Sequence, residues 1–230
     1  LSIVSAGFFK LDGGAMCGIV PKVMWNKMNP ADEDNMCTWT MRSLLIETPS
    51  RKILIDTGIG HKQGEKFRSH FHPSGKDVLQ SLAEMGLQSG DITDVFLTHL
   101  HFDHCGDAVK IDDKGALVPT FENATFWLNK NHWEWALEAN PREKASFLPE
   151  NYVPLMEAGV LRLIEPSSSR YTEWLEGIRL IECNGHTKGL MMLDIPYKDG
   201  RLIYLTDLIP SVHHVPLPYI MAYDLWPWDT

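Results

Sequence analysis

Thr98-His99-Leu100-His101-Phe102-Asp103-His104 directly follows the apolar run Asp94-Val95-Phe96-Leu97, and this junction decides how the chain reads. A short apolar run bounded by polar residues predicts a buried strand that stops where the array begins. In extended backbone alternate residues share a face, so His99 and His101 project together. The chain must then turn, and Asp103 and His104 approach from a second direction. Neutral imidazole suits zinc or iron, and a carboxylate adds charge to the same cluster. One motif therefore offers ligands to two neighbouring metal positions. The competing reading is a polar loop that happens to be His-rich. The chain holds ten His in 230 residues, and three of them beside an Asp, placed just after a strand, argue against chance.

Working outward, Gly177-Ile-Arg-Leu-Ile-Glu-Cys183 reads as a strand, followed by Asn184-Gly185-His186-Thr187. Arg201-Leu-Ile-Tyr-Leu205 is a further short strand, capped by Thr206-Asp207. Upstream, Lys52-Ile-Leu-Ile-Asp56-Thr-Gly58 is an early strand ending in Asp-x-Gly. In order, spacing and strand context, these elements resemble the metallo-β-lactamase superfamily over nearly the whole chain. The resemblance implies a four-layer αβ/βα sandwich, an α/β fold of two mixed β-sheets with helices on the outer faces. It also implies two divalent metal ions, zinc foremost, although iron, manganese and cobalt accept the same donors. His99, His101 and His186 match the ligands of the first metal, Asp103 and His104 those of the second, and Asp207 the bridging carboxylate. Asp56 matches the residue that supports a ligand from behind. The catalytic roles fall to Asp207 and to Asp103, which has one oxygen left to hand a proton to the leaving group.

The family usually supplies one more histidine well downstream of the bridging Asp. The sequence opens at Leu1 and stops at Thr230. The expectation is a single domain over 1–230 that lacks a C-terminal segment carrying that ligand. His213 or His214 standing in for it is the alternative.

Composition fits a compact enzyme with ample material for a core: 44% hydrophobic and 22% charged residues. Net charge is −9 and no basic cluster exceeds a pair, so the electrostatic footprint for nucleic acid is missing. No apolar stretch approaches a bilayer span, no membrane partner is expected, and a cytoplasmic location follows, with a removed leader left open. Homodimerisation is likewise left open. Cys17, Cys37, Cys105 and Cys183 form no C-x-x-C pair or dense disulfide framework. Cys105 abuts the metal motif and reads as a small buried thiol rather than a ligand.

Leu1–Lys10 and Cys37–Glu47 read as strands, the latter joined to Lys52–Asp56 through a Pro49-Ser50 turn. Asp77 to Leu87 is apolar at helical spacing and is ended by Gly86. Phe121–Leu128 reads as a strand, and Asn129 caps a helix running to about Ala139. In that helix Trp133 and Trp135 do not share a face, which leaves one exposed or lining a pocket. Residues 141 to 172 read as loop with one short helix. No internal repeat is visible.

Two apolar segments bear on substrate. Leu11 to Trp25 is glycine-rich, then apolar, and not periodic enough for a helix. It is similar to the corresponding segment in the branch that holds quorum-quenching acyl-homoserine lactonases and methyl-parathion-hydrolase-like enzymes. Pro210 to Trp228 is rich in Pro, aromatic and His residues. Such loops over a metal site would bind an acyl chain or an aromatic leaving group. For Met16, Met24, Trp25 and Met28 a pocket role and a core role weigh equally.

The leading expectation is a dinuclear metallohydrolase that opens a lactone, or cleaves another neutral small-molecule ester, by a metal-bridging hydroxide. A phosphotriester hydrolase fits the same cavity. A mononuclear non-haem iron dioxygenase of the persulfide-oxidising type is the main alternative. It is opposed by the presence of both Asp103 and His104. A binding module without activity is opposed by the filled ligand positions.

Overall fold

In the computed structural model, which describes residues 1–230, the chain sorts into two compact units that interleave in sequence. The first takes Leu1–Lys10, Thr38–Leu128 and Ala136–Ile164; the second takes Leu11–Cys37, Asn129–Trp135 and Glu165–Thr230. In chain order the strands are β1 (Ser2–Asp12), β2 (Met36–Glu47), β3 (Lys52–Ile55), β4 (Asp94–Phe96), β5 (Val109–Ile111) and β6 (Leu117–Pro119). They continue with β7 (Thr125–Asn129), β8 (Leu161–Ile164), β9 (Thr172–Glu173), β10 (Arg179–Cys183), β11 (Leu190–Tyr197) and β12 (Gly200–Tyr204). The α-helices are α1 (Gly13–Cys17), α2 (Lys22–Trp25), α3 (Glu65–Phe71), α4 (Val78–Glu84), α5 (Phe102–Cys105), α6 (Lys130–Leu137) and α7 (Val153–Glu157).

The first unit is built on a six-stranded sheet ordered β1-β2-β3-β4-β7-β8. β2 and β3 pair antiparallel, whereas β3-β4 and β4-β7 are parallel, so the sheet is mixed. Parallel strands are covered on both faces and therefore read as unbroken apolar runs. Ile53, Leu54, Ile55, Val95, Phe96, Phe126 and Leu128 are fully buried accordingly. Burial of each such side chain contributes roughly 1.5–3 kcal/mol. Asp94 ties the neighbours together: it accepts from Arg51 Nη1 at 2.9 Å and from Trp127 Nε1 at 2.9 Å. Because β3, β4 and β7 run the same way, their C-terminal ends emerge along one edge, where an open α/β sheet carries its chemistry.

The second unit is built on a four-stranded sheet ordered β12-β11-β10-β9, with every pairing antiparallel. Its central strand β11 is buried from Leu190 to Ile195. β10 and β12 flank β11 and so share a direction, and the loops leaving their C-terminal ends start from the same end of the sheet. Buried Asp194 on β11 accepts from Arg179 and Arg201 on the two neighbouring strands.

Several sequence expectations hold closely, and others shift for identifiable reasons. α4 has Asp77 as a capping box with Gln80 and ends before Gly86, whose φ is +78°. Asn129 caps α6 by accepting the Asn131 N–H at 2.9 Å. Trp133 and Trp135 are both half-buried, so neither is the fully exposed one. The strand expected over 121–128 begins only at Thr125, since Phe121 to Ala124 closes a turn. Within 11–25 two short helices form despite the glycines, because Asp12 caps α1 by accepting the Ala15 N–H and is itself held by Asn35. β8 was hidden among Pro-rich neighbours, and β11 by burial on both faces, which erases the alternation that marks a strand. No helix is long and apolar enough to cross a membrane.

Candidate metal centre

In the first unit the array follows β4 through a bend at Thr98 and then winds into α5, with His101 as the residue before its first turn. The His104 and Cys105 N–H groups return to the His101 carbonyl at 3.0 and 3.1 Å. This turn brings three imidazoles together: His99 to His101 at 4.6 Å and His99 to His104 at 4.0 Å between ring centroids. Ring nitrogens of His99 and His101, and of His99 and His104, that could serve as metal donors lie within 4.8 Å of each other. Asp103 Oδ2 stands 3.5 Å from His104 Nε2.

The β3 end is stitched to this turn. Thr57 N donates to the His104 carbonyl at 2.7 Å, and Asp107 N to the Gly58 carbonyl at 3.1 Å. Two glycines permit the approach: Gly58 has φ +78° with Ala6 against its Hα face, and a Cβ at Gly106 would run into the Ile59 carbonyl. Asp56 sits in the left-handed region, φ 59°, an uncommon conformation for a non-glycine residue that recurs at functional sites. Its carboxylate accepts the Thr98 N–H at 2.8 Å, the Thr98 hydroxyl at 2.9 Å and His104 Nδ1 at 2.9 Å. Thr98 Oγ1 in turn accepts from His99 Nδ1 at 3.1 Å. One buried carboxylate thus orients two imidazoles through their Nδ1 atoms, His104 directly and His99 by way of Thr98. At His101 the arrangement is inverted: Nε2 donates to buried Glu143 at 2.9 Å, which leaves Nδ1.

In the second unit His186 lies on the loop between β10 and β11, and Asp207 on the 3₁₀ turn after β12. Because both loops start from the same sheet end, His186 Nε2 and Asp207 Oδ2 come within 3.6 Å. Asp224 fixes the ring from the other side, accepting from His186 Nδ1 at 2.9 Å. The backbone beside it is clamped as well: Leu225 N donates to the His186 carbonyl and Trp226 N to the Gly185 carbonyl at 2.9 Å.

All six proposed ligands therefore sit in one or the other cluster: His99, His101, Asp103 and His104 in the first unit, His186 and Asp207 in the second. Asp56 holds the His104 imidazole at 2.9 Å. Glu143 and Asp224 were not anticipated; no local pattern marks either carboxylate. His214 is not free to stand in for a missing ligand, since Nδ1 meets Ser211 Oγ and Nε2 meets the Met16 carbonyl, both at 2.8 Å. Cys105 is fully buried with its Sγ on the Leu100 carbonyl, and burial pushes the thiol far above its ordinary range. Met16 and Trp25 are core residues, whereas Met24 and Met28 are exposed.

The donor set fits divalent metal. Each of four imidazoles has one ring nitrogen occupied by a carboxylate or a hydroxyl, which is the outer partnership metal-binding histidines have. The match to known families agrees: the metallo-β-lactamase superfamily model aligns with residues 42–225. The chain belongs to the metallo-β-lactamase superfamily. Among solved structures, a protein described as a probable metal-dependent hydrolase from Staphylococcus aureus superposes with a TM-score of 0.88 at 29% identity, covering 99% of this chain and 79% of that one. That likeness bears out the expected α/β architecture. AidC, a dizinc quorum-quenching lactonase solved with a product, N-hexnoyl-L-homoserine, shares the fold at TM-score 0.73 and 22% identity, covering 98% and 77%. An N-acyl homoserine lactonase of Bacillus thuringiensis is 24% identical over 190 residues, 78% of this chain; this chain spans 66% of that relative's length. The metallo-β-lactamase membership accounts for the order of the strands and for the His/Asp clusters at their ends.

Proposed function

We propose that this chain is a dinuclear metallohydrolase acting on a neutral ester, with a lactone bearing an apolar acyl chain as the best candidate. In this reading His99, His101, Asp103 and His104 of the first unit, and His186 and Asp207 of the second, are the residues that would hold the ions. The observation that carries it is the set of four imidazoles, each tied at one nitrogen and turned by that tie. When bound, a pair of divalent ions supplies an acidified water and a Lewis acid for the ester carbonyl, zinc suiting this donor set well. Asp103 accepts the proton of the attacking water and returns it to the departing alkoxide oxygen.

The substrate class rests on surface chemistry and on the lactonase relatives. Net charge of −9 disfavours polyanions. In the second unit Ile19, Val212, Val215 and Leu217 are well exposed, on segments joined by the His214–Met16 and Ala222–Ala15 hydrogen bonds. These side chains offer apolar surface for an acyl tail. Four free cysteines suit a reducing, cytoplasmic setting. The test is metal analysis followed by a rate series on lactones of increasing acyl length. Two equivalents of metal and a kcat/KM that rises with chain length are expected. One iron per chain with turnover of persulfides only, or no length dependence, would remove the lactonase reading.

A further inference from the structure

Resting on that metal reading, we infer that Glu143 is a positioning residue that decides which nitrogen of His101 faces the metal. The segment from Asn140 to Phe147 lies outside every motif and wraps this one imidazole. Glu143 is 5% exposed and His101 7%, so their 2.9 Å contact is shielded from water. Such a bond between a buried imidazole N–H and a carboxylate is of the charge-assisted kind, stronger than a neutral pair. The Phe147 ring packs against the imidazole with centroids 5.0 Å apart and planes tilted by 51°, and the His101 and Phe147 backbones form an antiparallel bridge.

The clamp is itself held in place. Asn140 Nδ2 donates to Glu143 Oε2 at 3.2 Å, while Asn140 Oδ1 accepts the Arg142 N–H at 2.9 Å. The Lys144 N–H returns to the Asn140 carbonyl at 2.9 Å. Glu143 Oε1 is thereby aimed at Nε2, which must carry the proton because a carboxylate only accepts. Nδ1 is then the unprotonated atom, opposite to His99 and His104, whose Nδ1 atoms carry the hydrogen bonds. This difference follows from where the carboxylates lie. Asp56 reaches the other two rings from the β3 side, directly at His104 and through Thr98 at His99, and His101 meets a different carboxylate, Glu143.

The experiment compares the full chain with Glu143→Ala, Glu143→Gln, Asn140→Ala and His101→Ala, reading zinc affinity by competition with a chromogenic chelator. ¹⁵N-histidine spectra of the zinc-loaded protein are recorded alongside. Glu143→Ala should bind zinc about 10- to 100-fold more weakly, the usual cost of removing such a partner. Glu143→Gln keeps an oxygen acceptor and should restore most of that affinity. Asn140→Ala should give a smaller loss in the same direction, and it carries the test if Glu143→Ala does not fold. The spectra should show one imidazole, absent in His101→Ala, protonated on Nε2 and ligating through Nδ1. Unchanged affinity in Glu143→Ala, or a His101 signal protonated on Nδ1, overturns the assignment of Glu143 alone. Unchanged zinc affinity in His101→Ala would instead overturn the metal reading beneath it.

Discussion

The two units present their candidate ligands in opposite ways. The first concentrates four of them in a single heptapeptide, packed on three parallel strands and backed by one buried carboxylate, Asp56, that reaches two imidazoles. The second places His186 and Asp207 on separate loops, and supports His186 with a carboxylate from a third, Asp224. Contiguity makes the first cluster a property of local geometry, whereas the second exists only because β10 and β12 flank β11 in one direction. A local cluster tolerates little change in any one member, and a dispersed one depends on the strands that bring it together.

Replacing the carboxylate proposed to be shared should produce the largest effect. Asp207→Ala is expected to remove both metal and activity, more than His213→Ala or His214→Ala, as measured by metal analysis and lactone turnover. Asp103→Asn should lower kcat by roughly 10²–10⁴-fold, the usual size of a lost general acid or base. If Asp207→Ala retained both ions, the dispersed cluster would not be a ligand cluster at all.

The next comparison is between supporting carboxylates. Asp56→Ala unties His104 directly and His99 through Thr98, while Asp224→Ala unties only His186. Each should weaken metal binding by about 10- to 100-fold, with Asp56→Ala the larger. Chelator competition on both variants checks the order, and a larger loss for Asp224→Ala would reverse the account of the two units.

Two pH effects complete the series. Burial, reinforced by the nearby Asp77 charge, raises the Asp107 carboxyl from 3.8 to about 6 in the first unit. Between those values the folded state binds more protons than the unfolded one, so this group's contribution to stability falls as pH rises through 6. Asp107→Asn should therefore stabilise the protein above pH 6, by at most about 3 kcal/mol, in denaturant melts. In the second unit burial depresses His214 below its ordinary 6.5. Its unfolded form protonates first as pH falls, so the stability tied to the neutral ring is present above 6.5 and lost below it. His214→Gln should flatten that acid-side loss, the smallest of these effects, without altering metal content.

Local features were legible along the chain before any folding. The strand before His99, the turn that carries Asp103 and His104, the Asp77 cap and the Asp-x-Gly element at Asp56 all depend on neighbours within a few residues. Backbone geometry therefore translates directly into side-chain placement. His186 and Asp207 were legible as loop residues following strands, and their order along the chain matched a family pattern. Tertiary structure alone decided the rest. Glu143 meets His101 across 42 residues and Asp224 meets His186 across 38, and a lone Glu or Asp in a loop carries no sign of what it will touch. β11 hid because a strand covered on both faces loses its alternation. His214 appeared available in sequence and proved occupied in space. The physical reason is common to all of these: hydrogen bonds and burial act over a few ångströms, and only folding turns distance along the chain into distance in space.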